Sequence, residues 1–194
     1  MDRKQALKLL HDNMTNQNLR RHCYAVEAAM LGLYDRLVDG EVDEKEKEAW
    51  GVAGLIHDAD YEATKDEKDK VHTKEVGKWL EELDARVDVR DAVARHGWTY
   101  IEDAPKPDSK MDWALYCCDE LTGLIVAVAL VKEDKRLASV TVDSVMNKWN
   151  SKSFAAGVDR KQIEKCEQYL NIPLREFVGV VLLSMQNIHD DLGL

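Results

Sequence analysis

The side chains able to do chemistry fall where apolar helical patterns break. Gly54-Leu55-Ile56-His57-Asp58-Ala59-Asp60 ends an apolar run in an adjacent imidazole and carboxylate, with a second acid two residues on. Such a pair offers one nitrogen and one oxygen ligand from a rigid base. His22 interrupts Leu19-Arg20-Arg21-His22-Cys23-Tyr24-Ala25-Val26, and His96 closes Val93-Ala94-Arg95-His96-Gly97. Asp119 lies inside Leu115-Tyr116-Cys117-Cys118-Asp119-Glu120-Leu121, where a carboxylate is costly to bury unless it is paired or bound to a cation. Each residue alone has an ordinary explanation: an interfacial histidine at His22, a turn cap at Asp58, an arginine partner for Asp119. Together they form a set of imidazoles and carboxylates that suits Mn, Fe, Co, Ni or Zn.

These groups need helices to position them. Leu19, Cys23, Val26, Met30, Leu33 and Leu37 recur at three- and four-residue steps, which predicts a helix over 18–38 with Gly40 as its stop. A short helix over 2–11 precedes it. Asp43 is an N-cap for a helix that carries Trp50, Ala53, Leu55 and Ile56 to His57. The charged stretch 61–70 reads as a loop over the site. Further helices are expected over 71–83, which would include His72, and over 87–95. A loop marked by Pro105 and Pro107 leads to a long apolar helix opened by Asp108 or Ser109 and running through Asp119 to Val131. The remaining helices fall at 142–149, 159–170 and 173–189, with Pro173 in a first turn. This is an all-α fold in one domain, 1–194: a core of about 18–131 and a helical extension of about 132–194. Phe177, Val180, Val181 and Leu182 give that extension an apolar face for the core or for a homodimer.

Composition limits the function. The formal net charge of -10 argues against a stable grip on nucleic acid or on an anionic membrane. It leaves room for a phosphorylated small substrate, since a bound metal supplies local positive charge. Cys23, Cys117, Cys118 and Cys166 form no Cys-x-x-Cys pair and read as buried thiols. The N-terminus has no signal-peptide core, and the longest apolar run is far short of the ~20 residues of a membrane span, so a cytoplasmic location is expected.

The order His22, His57-Asp58, a further His, then Asp119 resembles the HD-domain superfamily of metal-dependent phosphohydrolases, over roughly residues 19–124. Leu-Ile-His-Asp after an apolar helix and Asp-Glu-Leu-Thr-Gly downstream carry the likeness. The resemblance implies a compact multi-helix fold in which His22, His57, Asp58 and Asp119 hold a principal divalent transition metal. It implies a second ion bridged by Asp58 and held by His72 and His96. The chain departs from the pattern at Ala59-Asp60, where many members have Ile-Gly, and at Arg95, where several two-metal members carry another histidine.

A metal-activated hydroxide attacking phosphorus would make the protein a phosphomonoesterase or phosphodiesterase acting on a small phosphorylated substrate such as a nucleotide. Asp60 and Glu62, beside the ligands, are the expected proton carriers, and Asp58 joins them as an expected catalytic residue through the metal. Arg95, Arg21, Lys148 and Lys152 are the expected phosphate-binding cations, with Lys65 and Lys106 as further choices. Trp98 and Tyr100 either stack on a base or sugar or close the core. Two other functions fit the same residues: a di-iron HD-like oxygenase and a non-catalytic helical regulatory module. His11 and His189 read as surface residues.

Overall fold

The structure is a computed structural model describing residues 1–66, 72–151 and 153–194. It is all-α, and no strand occurs among the described residues. The helices are α1 (Arg3–Asn13), α2 (Gln17–Leu37), α3 (Glu44–Ile56), α4 (Tyr61–Thr64), α5 (Lys74–Glu82), α6 (Val87–Arg95) and α7 (Lys110–Leu130). A 3-10 turn, Leu137–Ser139, leads to α8 (Val142–Trp149), α9 (Arg160–Tyr169), α10 (Leu174–Gln186) and α11 (His189–Leu192).

Local chemistry sets where the long helices begin. The Asn16 side chain accepts the Asn18 and Leu19 N–H groups, and Asp43 accepts those of Lys45 and Glu46. Ser109, not Asp108, caps α7, in a reciprocal capping box with Asp112. Each cap satisfies N–H groups that the first helical turn leaves without partners.

The 21-residue helices α2 and α7 form the centre of the fold. On α2 pack α3, α7 and α10, while α9 packs along α7. Gly54 allows the α2–α3 approach: a Cβ there would lie 2.8 Å from the Val26 carbonyl oxygen and 2.9 Å from the Glu27 nitrogen. By length and composition α7 could cross a membrane, yet 67% of its most apolar window is buried inside the protein, as a core helix requires.

The structure corrects several expectations. Residues 61–64 are helical, and α5 begins at Lys74, so His72 precedes that helix and lies in a turn with Thr73 at φ +71°. Residues 67–71 lie outside the described residues. Pro173 is the N-cap of α10, which ends at Gln186. The segment 132–194 is woven into one hydrophobic cluster with the rest: Phe177, Val181 and Leu182 are buried in it and Val180 packs against it. All four cysteines are free and buried.

Candidate metal centre

Five segments converge on one point. His22 comes from α2, His57 and Asp58 together from the C-cap of α3 and the turn it enters, His96 from the C-cap of α6 and Asp119 from the middle of α7. His72 reaches in from the turn before α5.

Local bonds aim the imidazoles. The last carbonyls of a helix lack intrahelical donors, and two of the histidines use them. His57 Nδ1 donates to the Gly54 carbonyl at 2.8 Å, and His96 Nδ1 donates to the Val93 carbonyl at 2.6 Å. His72 Nδ1 donates to Asp60 Oδ1 at 2.6 Å. His22 Nδ1 lies 3.3 Å from Thr122 Oγ1, whose own hydroxyl donates to the Asp119 carbonyl. With each Nδ1 engaged, each Nε2 is left to face the two carboxylates. This is how outer contacts fix the tautomer and orientation of metal-ligating histidines.

Asp58 stands between two halves. On one side its Oδ2 is 3.6 Å from His22 Nε2, which in turn is 3.0 Å from Asp119 Oδ1; His57 Nε2 is 3.5 Å from that same Asp119 oxygen. On the other side its Oδ1 is 3.0 Å from His72 Nε2, 3.4 Å from His96 Nε2 and 3.6 Å from His57 Nε2. The ligand atoms of His22, His57 and Asp119 all lie within 4.8 Å of one another, as do those of His57, Asp58 and His96. These clusters could hold a metal ion.

The fit to a cation is carried by two atoms. His57 Nε2 and His96 Nε2 are buried and make no hydrogen bond. A buried polar atom left without a partner costs about 1–3 kcal/mol, and a coordinated ion would remove that cost at both. Electrostatics agree. Burial pulls the His57 imidazole down, but Asp58 and Asp119 outweigh it and push it up to about 9. Burial likewise opposes His72, yet Asp58 and Asp60 push it up to about 10. Asp58 and Asp119 resist their own burial and stay well below the ordinary carboxylate range because of the surrounding imidazoles. The two carboxylates thus favour positive charge at the centre, whether on the imidazoles or on a cation.

Above it opens a cleft of ≈ 600 Å³. His22, Asp58, His72 and Asp119 form its floor, with His57 and His96 packed beneath. Its walls come from Leu19, Tyr61, Thr99, Tyr100 and Ile101 on one side and Gly157, Val158, Asp159 and Gln162 on the other. The second wall belongs to the segment that the sequence left without a role. Arg160 builds it, with guanidinium nitrogens donating to the carbonyls of Phe154 at 2.6 Å and Val158 at 3.2 Å. Glu120, next to Asp119, also lines the cleft and accepts the Asp159 N–H at 2.9 Å. Burial and the Asp119 charge push its carboxyl up to about 7.

The six expected ligands are brought together, but the other expected site residues that the structure describes do not line the cleft. Asp60 is fully buried and bonded to His72 and Val76, so it is no solvent-facing proton carrier. Glu62 turns the other way and accepts from Thr15 and Asn16, tying α4 to the start of α2. Arg95 is bound to Asp112 at 2.6 Å and Asp91 at 3.4 Å. Arg21 lines a neighbouring groove beside Gly193 and Leu194. Lys148 lies over the Phe154 ring and Lys106 over Trp98, Trp113 and Tyr169. Lys152 lies outside the described residues. Among the described residues, no lysine or arginine lines the cleft. Trp98 closes the core against Trp113 and Tyr116, whereas Tyr100 faces the cleft. His11 and His189 are exposed, as expected.

Comparison with family models, with curated proteins and with solved structures returned no match.

Proposed function

We propose that the protein is a metal-dependent phosphohydrolase of the HD type, acting on a small phosphorylated substrate. His22, His57, Asp58 and Asp119 would hold one divalent transition ion, and Asp58, His72 and His96 a second. The observation that carries this reading is the aim of four Nδ1-anchored imidazoles at two carboxylates, with two buried Nε2 atoms left without hydrogen bonds. Nitrogen and carboxylate donors suit Mn, Fe, Co, Ni or Zn. Bound there, such ions supply Lewis acidity and lower the pKa of water from ~16 towards ~7.

The chain's own residues do the rest. Asp58 and Asp119 set the charge of the floor, and Thr122, Gly54 and Val93 hold His22, His57 and His96 in the orientation that presents Nε2. Partial desolvation within the cleft, then the Asp119 and Asp58 charges, raise the phenol of the half-exposed Tyr100 above its usual range, so at neutral pH it remains a hydroxyl that can donate to a substrate oxygen. Leu19, Ile101 and Val158 give the cleft apolar walls that limit water. With no lysine or arginine among the described lining residues, attraction of a phosphate group would fall to the ions.

The test is metal analysis of purified protein, followed by assay with Mn, Co, Ni and Mg against a generic phosphate ester and a nucleotide panel. Turnover that disappears, along with bound metal, in Asp58→Ala is the expected result. Metal-filled protein inert towards every ester would sink the hydrolase reading. One observation favours a second reading: Asp58 Oδ1 lies 3.0 Å from His72 Nε2 and 3.4 Å from His96 Nε2, a two-histidine, one-carboxylate set of the kind found in iron oxygenases. Oxygen consumption by protein loaded with ferrous iron separates the two.

A further inference from the structure

Three of the four inward-facing imidazoles are held at Nδ1 by neutral acceptors: the Gly54 carbonyl, the Val93 carbonyl and the Thr122 hydroxyl. His72 alone among them is held by a carboxylate. We propose that Asp60 is a positioning residue that makes His72 a metal ligand, so that retention of the second ion depends on it and retention of the first does not.

The geometry gives Asp60 two bonds and no other evident purpose. It is 0% exposed. Its Oδ1 accepts from His72 Nδ1 at 2.6 Å, and its Oδ2 accepts the Val76 N–H at 3.0 Å. Val76 is the third residue of α5, whose N-cap Thr73 makes no side-chain cap bond and sits at φ +71°. Asp60 therefore caps α5 from outside the helix, with the same carboxylate that holds the imidazole. It is a rigid link between the turn that presents Asp58 and the turn that presents His72. A buried carboxylate is costly without charge compensation, and among the described residues no lysine or arginine lies within ion-pair distance of it. Its stabilisation comes from the His72 imidazole and the Val76 N–H. A carboxylate at Nδ1 raises the donor strength of Nε2 more than a neutral acceptor does, which makes His72 the strongest imidazole donor of the set. At this position the chain departs from the Ile-Gly that follows His-Asp in many HD proteins, where glycine has no side chain to offer.

The inference rests on the metal centre proposed above but not on phosphate chemistry, and it is read without any substrate. Wild type and Asp60→Asn are stripped of metal and titrated with Co(II), following bound stoichiometry by elemental analysis and the ligand-field spectrum. Wild type is expected to take two ions. Asp60→Asn keeps the shape but loses the charge, so its second ion should bind about 10- to 100-fold more weakly while the first is unchanged. Equal weakening of both ions, no weakening, or a single ion in wild type would each overturn the proposal. Zinc-loaded wild type carrying 15N-histidine supplies a measurement that needs no variant. The His72 Nδ1 proton should resonate well downfield of those on His57 and His96, and its absence there overturns the proposal even if Asp60→Asn does not fold.

Discussion

Loading the centre should release protons, and the number is set by the structure. Without an ion, His57 is held up at about 9 and His72 at about 10, so both are charged at pH 7. A ligating imidazole must give up its Nε2 proton. At about 1.36 kcal/mol per pH unit, removing it at pH 7 costs about 3 kcal/mol for His57 and about 4 kcal/mol for His72. Apparent affinity at pH 7 should therefore lie about 100-fold below its alkaline limit for an ion held by His57, and about 1000-fold below for one held by His72. Calorimetric titration with Co(II), in buffers of different ionisation enthalpy, counts the protons. About one should leave with each ion at pH 7, and the count for the His57 ion should fall first as the pH passes its value. Affinity that is flat from pH 6 to pH 9, with no buffer dependence, would refute the electrostatic argument.

The same groups predict how the ion-free protein responds to pH. His57 and His72 have folded values raised above the unfolded ~6.5, so their contribution is complete below that pH and is lost as pH rises through about 9 to 10. Asp58 and Asp119 are depressed, so their contribution is present above the unfolded ~3.9 and disappears as pH falls. Thermal melts of stripped protein should therefore decline at both extremes; a melting temperature unchanged from pH 6 to pH 10 would contradict the assignment. Gly54→Ala forces a methyl against the backbone of Val26 and Glu27 and should cost about 1–3 kcal/mol by denaturant unfolding, with weaker metal binding through His57. Arg95→Ala should lower stability by about 1–3 kcal/mol, because Asp112 is 1% exposed and loses its guanidinium partner. Its KM should be unchanged, and a rise would restore Arg95 as a substrate contact.

The helices and the six candidate ligands that converge were legible in the sequence because both have local signatures. A 3.6-residue apolar period marks α2, the Asp43 cap and an apolar run mark α3, and an acid inside the apolar α7 marks Asp119. What the sequence obscured depends on direction and distance. Asp60 and Glu62 flank the ligands in the chain, yet one turns inward to His72 and the other outward to Thr15. Arg95 adjoins His96 but points to Asp112, seventeen residues on, so adjacency to a ligand says little about facing the site. The wall from Gly157 to Gln162 was invisible because it carries no motif and enters the site only through packing of α9 on α7.

The five segments that meet at Asp58 run from His22 to Asp119 and join through side chains alone. An ion held there would act as a reversible cross-link among them, in the way a clasp closes a long loop. Its stabilising effect grows with supply, as RT ln(1 + [L]/Kd), reaching about 4 kcal/mol at a thousand times the dissociation constant. That is a large share of the stability of an ordinary domain. The amount of folded protein in a cell would then follow the availability of its metal, and scarcity would reduce the protein's abundance as well as its activity.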